Sequence, residues 1–179
     1  MALPKKLKNF ALFGDGESWV GEIPSVTLPK ITKKTEEYRA GGMHGPVEID
    51  LGHEKMELGI KAGGLKTQLI AMLGGQTVGA NLFRFAGAYQ DEATGQVSAV
   101  EVIARGRMRE WNPNEAKAGD DNEHEFMVAL SYYKVTVDAQ ELLEIDVPGM
   151  VFRVGGVDKY SALRAALGVS VGLSVSLNI

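Results

Sequence analysis

Alternation of apolar and polar residues with a period of two runs through most of this chain, and that period belongs to strands. Val47, Ile49 and Leu51 alternate with Glu48 and Asp50, and Met56, Leu58 and Ile60 with Glu57, Gly59 and Lys61. The same period returns over Val97–Arg109, Phe126–Val137 and Leu142–Val147, and Val169 to Ile179 alternate without a charge. Successive strand side chains leave on opposite faces, so each run can offer one face to a core. Two segments show helical spacing instead. Leu65, Leu69, Met72 and Leu73 sit between the glycine pairs 63–64 and 74–75. Tyr160, Leu163 and Leu167 lie between a capping Asp158 and a terminating Gly168. Helices this short are not stable alone, so each must pack on a sheet. Eight or so strands with two short helices predict a mainly β chain, an antiparallel sandwich or barrel, rather than alternating βα units.

Glycine supplies the turns between the strands. It accounts for 22 of 179 residues, against a usual share of about 7%. Gly14-Asp15-Gly16, the RAGGMHGP run at 39–46, Asp91–Gly95, residues 137–140 and Pro148-Gly149 all read as turns or loops. Residues 1–18 read as an N-terminal arm, Trp19–Val26 as a short strand, and Gly52-His53 as the turn of a hairpin joining its flanking runs. Lys30–Tyr38 is polar and charged, and Trp111–Asn122 is a long loop. The expected organisation is an arm at 1–18, a domain at 19–168 with an interface loop near 38–46, and an extension at 169–179.

The search for chemistry is nearly empty. Cysteine is absent, which removes disulfides, thiol nucleophiles and thiolate metal sites. FGDGESWVG places glycines at 14, 16 and 21, which is not dinucleotide-loop spacing. No GxSxG elbow occurs. His44, His53 and His124 form no local metal motif and read as ordinary loop or surface histidines. Asp120, Asp121, Glu123 and Glu125 lack the spacing and central glycine of a calcium loop. No catalytic residue, cofactor site or metal site is assigned, and the chain reads as a non-enzyme. No apolar run approaches the roughly 20 residues needed to span a bilayer, and residues 1–18 do not read as a secretory signal.

Charge is unevenly placed. The net charge is −4, yet residues 1–34 carry +3 and residues 110–125 carry −5. Such patches are either solvated or complementary surfaces between copies of the chain. Arg105, Arg107 and Arg109 share one strand face. Contact with another protein is the favoured reading for that row, with a solvated face and nucleic-acid binding as alternatives.

Four segments resemble the major tail tube proteins of P2-like contractile-tailed bacteriophages and the related tubes of R-type bacteriocins. They are LFGDGESWVGEIPSVTLPKI at 12–31, KTEEYRAGGMHGPVEIDLG at 34–52, SYYKVTVDAQELLEIDV at 131–147 and GVDKYSALRAALG at 156–168. The resemblance spans about residues 7–168, and it implies a small antiparallel barrel or sandwich with a flanking helix. It further implies copies that form hexameric rings, stacked into the inner tube of a contractile tail. The tube would surround a tape-measure protein, lie within a sheath, and meet baseplate and tail-terminator proteins. It would pass phage DNA transiently through the bacterial envelope, with no stable membrane insertion. Assembly would take place in the host bacterial cytoplasm, and the final location would be the virion tail. A bacteriocin or secretion-like tube that passes no DNA is the alternative within the class. A soluble ligand-binding barrel or small enzyme is the alternative outside it.

On this resemblance the candidate contacts between subunits or rings are Phe10, Phe13, Trp19, Tyr38, Arg39, Gly41, Gly42, Met43, His44 and the arginines 105, 107 and 109. The face carrying Glu48 and Asp50, or that carrying Glu57 and Lys61, is expected toward the channel or a neighbour. The channel wall is expected to be net acidic, because a basic wall would trap DNA phosphates. Residues 169–179 extend past the resemblance, and no contact is assigned to them.

Overall fold

The computed structural model describes residues 3–169. In chain order its elements are β1 (Lys5–Gly14), β2 (Glu17–Ser18), β3 (Ser25–Thr27), β4 (Lys33–Tyr38), β5 (Val47–His53) and β6 (Met56–Ala62). Then come α1 (Thr67–Ala71), β7 (Asn81–Asp91), β8 (Val97–Asn112), β9 (His124–Val137), β10 (Gln140–Asp146), β11 (Val151–Val154), β12 (Val157–Asp158) and α2 (Ser161–Ala166). The chain is mainly β, with antiparallel pairing throughout the described residues.

Ten strands form one sheet in the order β12-β11-β10-β9-β8-β7-β1-β2, with β6 added on β9 and β3 on β6. β9 is the branch point. Its first half pairs with β6 and its second half, from Tyr132 onward, with β10. Against β8 the register slips at Ser131, where Arg105 faces Tyr132 but Gly106 faces Leu130. An extra residue of this kind bends a strand and sharpens its twist, so one strand can feed two diverging layers. The connection from β2 to β3 draws the sheet round toward a barrel. Trp19 N–H donates to Leu12 O (3.0 Å) and Gly63 N–H to Glu22 O (2.9 Å), tying the β1 side to the end of β6.

Inside that curve lie Leu12, Trp19, Leu58, Ile60, Phe83, Phe85, Val102, Phe126 and Val128, with Leu69 of α1 packed against them. Each large apolar side chain so buried contributes about 1.5–3 kcal/mol. Two glycines are needed for this packing. A Cβ at Gly14 would fall on the Trp19 indole, and one at Gly106 on the Ala129 carbonyl of the paired strand.

The sequence expectations differ from the structure at several places. Residues 5–14, expected within an arm, are β1, paired with β7 along its length. Leu12 is buried there, so this segment belongs to the core. Of the short strand expected over 19–26, only Ser25 and Val26 are strand, in β3; residues 19–24 turn instead, with Trp19 directed inward onto Phe83 (6.2 Å, edge to face). The hairpin expected between β5 and β6 does not form. β5 pairs with β4, while β6 pairs with β9 and β3. Four of β6's seven residues are buried, so it is drawn into the body. Gly52, at φ +108°, lets the chain part there.

In α2 the expected inward stripe faces solvent, with Leu163 54% and Leu167 64% exposed. Arg164 is the buried residue, donating to Met150 O (2.6 Å) and ion-paired with Asp158. His124, expected on a loop or surface, is buried at the start of β9 and accepts Trp111 Nε1–H at Nδ1 (3.2 Å). The strand expected at 169–179 lies, apart from Val169, outside the described residues.

Candidate subunit interface

The β4–β5 hairpin is a separate two-stranded sheet, and nearly all of its side chains are exposed. Its register places Tyr38 opposite Val47 and Glu36 opposite Ile49, while Glu37 faces Glu48 and Thr35 faces Asp50. Tyr38, Val47, Ile49, Leu51 and Glu36 therefore share one face. Glu37, Glu48 and Asp50 share the other. The four large apolar side chains are 43–52% exposed. Glu37 and Glu48 are like charges directly across a strand pair, a destabilising arrangement. Neither face gains much from the body of its own subunit. At the tip, residues 39–46 turn through Gly42 (φ +87°), and Met43 N–H donates to Ala40 O (3.2 Å). Arg39, Gly41, Gly42 and His44 are exposed and Met43 is partly covered.

The hairpin's base is anchored. The His53 ring stands edge-on to Phe152 at 4.5 Å, and its Nδ1 lies 3.4 Å from the Tyr160 hydroxyl. Lys33 lies over the Phe152 ring at 5.9 Å and pairs with Asp50. Burial, aided by the Lys33 charge, holds the His53 imidazole below its ordinary pKa. The hydrogen bond from Lys33, joined by that from the Gly52 N–H, holds the Asp50 carboxyl below the usual carboxylate range. Sequence reasoning took His53 for an ordinary loop or surface residue in a hairpin turn. The signal it missed is a histidine at the junction between an exposed hairpin and the body. Among the described residues, no three histidine or acidic side chains gather as a metal site.

The second feature is a sheet edge. β1 pairs with β7 from Lys5 to Gly14, yet only Phe13 and Gly14 meet β2 on its other side. From Lys5 to Ala11 that edge has no strand partner among the described residues. Three lysines and no acid occupy β1.

The remaining candidates divide by burial. Trp19 is 1% exposed and belongs to the core, with no surface left for a neighbour. Phe10 is partly covered and stacks on Phe85 at 5.4 Å. Phe13 lies beneath the Arg84 guanidinium at 5.0 Å. The three arginines are exposed on one face of β8. Arg109 pairs with Glu57 of the same chain. Arg105 and Arg107 have no carboxylate within 4 Å among the described residues. The acidic loop is partly neutralised internally, by Lys61 at Glu125 (3.0 Å) and Lys117 at Asp120 (2.6 Å). The structure thus brings together Tyr38 through His44 on the hairpin, and places the arginine row elsewhere, on β8.

A family model described as phage tail tube protein FII matches residues 4–168. The chain is 42% identical over 172 residues to the tail tube protein of Escherichia phage P2, covering 94% of this chain and all of that one. It is equally similar to the major tail tube protein of Serratia phage KSP20, covering 94% and 99%. Among solved structures, it resembles a chain of the sheath-tube complex of an extracellular contractile injection system in its extended state. The TM-score there is 0.55 at 15% identity, over 75% of this chain and 90% of that one. It also resembles the tube-terminating cap of the anti-feeding prophage, with a TM-score of 0.56 at 14% identity over 76% and 93%. At these identities the structural likeness shows a shared fold.

Proposed function

The chain belongs to the phage tail tube protein FII family, and from that premise we propose that its copies close into hexameric rings which stack into the inner tube of a contractile tail. The observation that carries this reading is the β4–β5 hairpin, a projecting pair of strands with an apolar face its own subunit leaves uncovered. An isolated two-stranded hairpin is at best marginally stable in water, so a neighbour's surface is where it gains stability.

A ring needs a heterologous contact whose rotation closes, and a second contact that does not close propagates a stack. The open β1 edge suits the first role, since a strand from the next subunit would satisfy its free backbone groups and remove an aggregation hazard. The hairpin suits the second. Tyr38, Arg39, Gly41, Gly42, Met43 and His44 are then contacts between rings. The arginines at 105 and 107 are contacts with a carboxylate of another subunit.

The tube passes phage DNA, and its wall is net acidic. The carboxylates of Glu37 and Glu48 repel a polyanion, so DNA slides without being held. The partners implied by this role are the sheath, the tape-measure protein, the baseplate and the tail terminator.

Negative-stain microscopy of the concentrated protein, alone and co-produced with its baseplate proteins, tests the assembly. Stacked rings with six-fold averages are expected. A protein that stays monomeric at every concentration and is missing from assembled particles would overturn the reading. For the wall, a reconstruction that lines the channel with arginines 105, 107 and 109 and no carboxylates would remove the DNA argument.

A further inference from the structure

The hairpin's apolar face has a complement on the same chain. The outer face of β1, β7 and β8 carries a groove of about 600 Å³ floored by Ala11, Ala86, Ala88 and Ala99. The register aligns these small residues: Ala11 lies beside Ala86, and Ala88 beside Ala99. They lie on the face opposite the buried Phe83, Phe85, Val102 and Ala104, so they form an exterior surface. The four alanines leave a depression where larger side chains would stand, bounded beside Ala86 by the ion-paired Glu101 and Arg84. The hairpin shows the inverse relief: Tyr38, Val47, Ile49 and Leu51 stand out from one face.

Charge agrees with shape. Lys6 pairs with Gln90, two residues from Ala88, and so shares the groove's face. It has no carboxylate partner among the described residues. Glu36 lies on the hairpin's apolar face opposite Ile49, is exposed, and likewise has no cation within 4 Å among the described residues. The whole hairpin, residues 33–53, carries −1 and β1 carries +3, and on the hairpin's apolar face the charge is that of Glu36 alone. Opposite potentials of this kind set register and suppress wrong docking.

We propose that in the assembled tube the β4–β5 hairpin of one copy lies with its apolar face in the alanine-lined groove of a neighbouring copy, with Glu36 beside that copy's Lys6. This rests on the tube reading above and names the surface that receives the hairpin. Laying the apolar face down leaves Glu37 and Glu48 pointing away from the contact, free to face the channel. It also covers apolar surface on both copies, the dominant favourable term in such associations.

The absence of cysteine allows a direct test. The double variant Ile49→Cys with Ala88→Cys, oxidised after assembly, is expected to give a ladder of covalent multimers on a non-reducing gel. Ala88→Phe fills the groove and is expected to abolish polymer while the soluble subunit keeps its melting temperature. Glu36→Lys and Lys6→Glu should each lower polymer yield, and their combination in one chain should restore it. Polymer that forms normally with Ala88→Phe, or oxidised polymer without a ladder, overturns the docking and leaves the tube reading standing. Wild-type protein that never polymerises and is absent from particles overturns both.

Discussion

Single residues hold this fold where two backbones meet closely. Gly106 lies in β8 with its Cα hydrogens against the Ala129 carbonyl of β9. Gly106→Ala forces a methyl into that contact and should cost about 1–3 kcal/mol, the range for overpacking, read as a lower urea midpoint with unchanged slope. His53 should give the subunit a pH dependence. Burial and Lys33 keep its native pKa low, whereas in the unfolded chain the imidazole takes a proton near pH 6.5. As pH falls through that value the unfolded state binds more protons, so the native state loses stability. Between about pH 7.5 and about pH 5.5 the melting temperature should therefore fall, and His53→Phe should flatten the decline. A variant with the wild-type slope would show that another group titrates. Spacing placed His53 in a hairpin turn, as an ordinary loop residue. Its place against Phe152 and Tyr160 joins positions 107 residues apart, which no local pattern records.

The strands and helices were legible to very different degrees. β7, β8 and β9 announce themselves by alternation, because their inward and outward faces differ in environment along the whole length. β4 does not, because both its faces are in solvent and nothing selects apolar residues at every second position. α2 misleads for a related reason. Its leucines face outward and its buried contact is polar, Arg164 held by Asp158 and the Met150 carbonyl. Arg164→Met should therefore lower the melting temperature even though it adds apolar character, because Asp158 and the carbonyl lose their donor. The hairpin makes the opposite prediction. Replacing Tyr38, Val47, Ile49 and Leu51 together by threonine should leave the subunit's melting temperature within a few degrees, since substitutions at exposed sites usually cost under about 0.5 kcal/mol each. The same variant should lose the ability to polymerise, read by sedimentation.

Among the described residues the subunit joins a curved sheet to an unpaired basic strand edge, an amphipathic hairpin, an alanine-lined groove and two arginines without a carboxylate within 4 Å. Contacts between oppositely charged surfaces weaken as salt screens them. Polymer yield should therefore fall as ionic strength rises over the range where the Debye length shrinks from about 10 Å to about 3 Å. Yield that is insensitive to salt would leave apolar burial as the sole driving force.

The sequence alone determined the mainly β class, the glycine-rich turns and, through four segments, the tail-tube resemblance that the family match bears out. These properties are local: a period of two fixes which way side chains leave a strand, and a glycine pair ends a helix wherever it occurs. Only the tertiary structure decided that residues 5–14 are a core strand, that β5 leaves β6 to pair with β4, and that Trp19 turns inward. Those outcomes come from competition among distant segments for one apolar interior. The two halves of β9 are filled by β6 and β10, and the hairpin left outside keeps an apolar face that its own subunit leaves exposed.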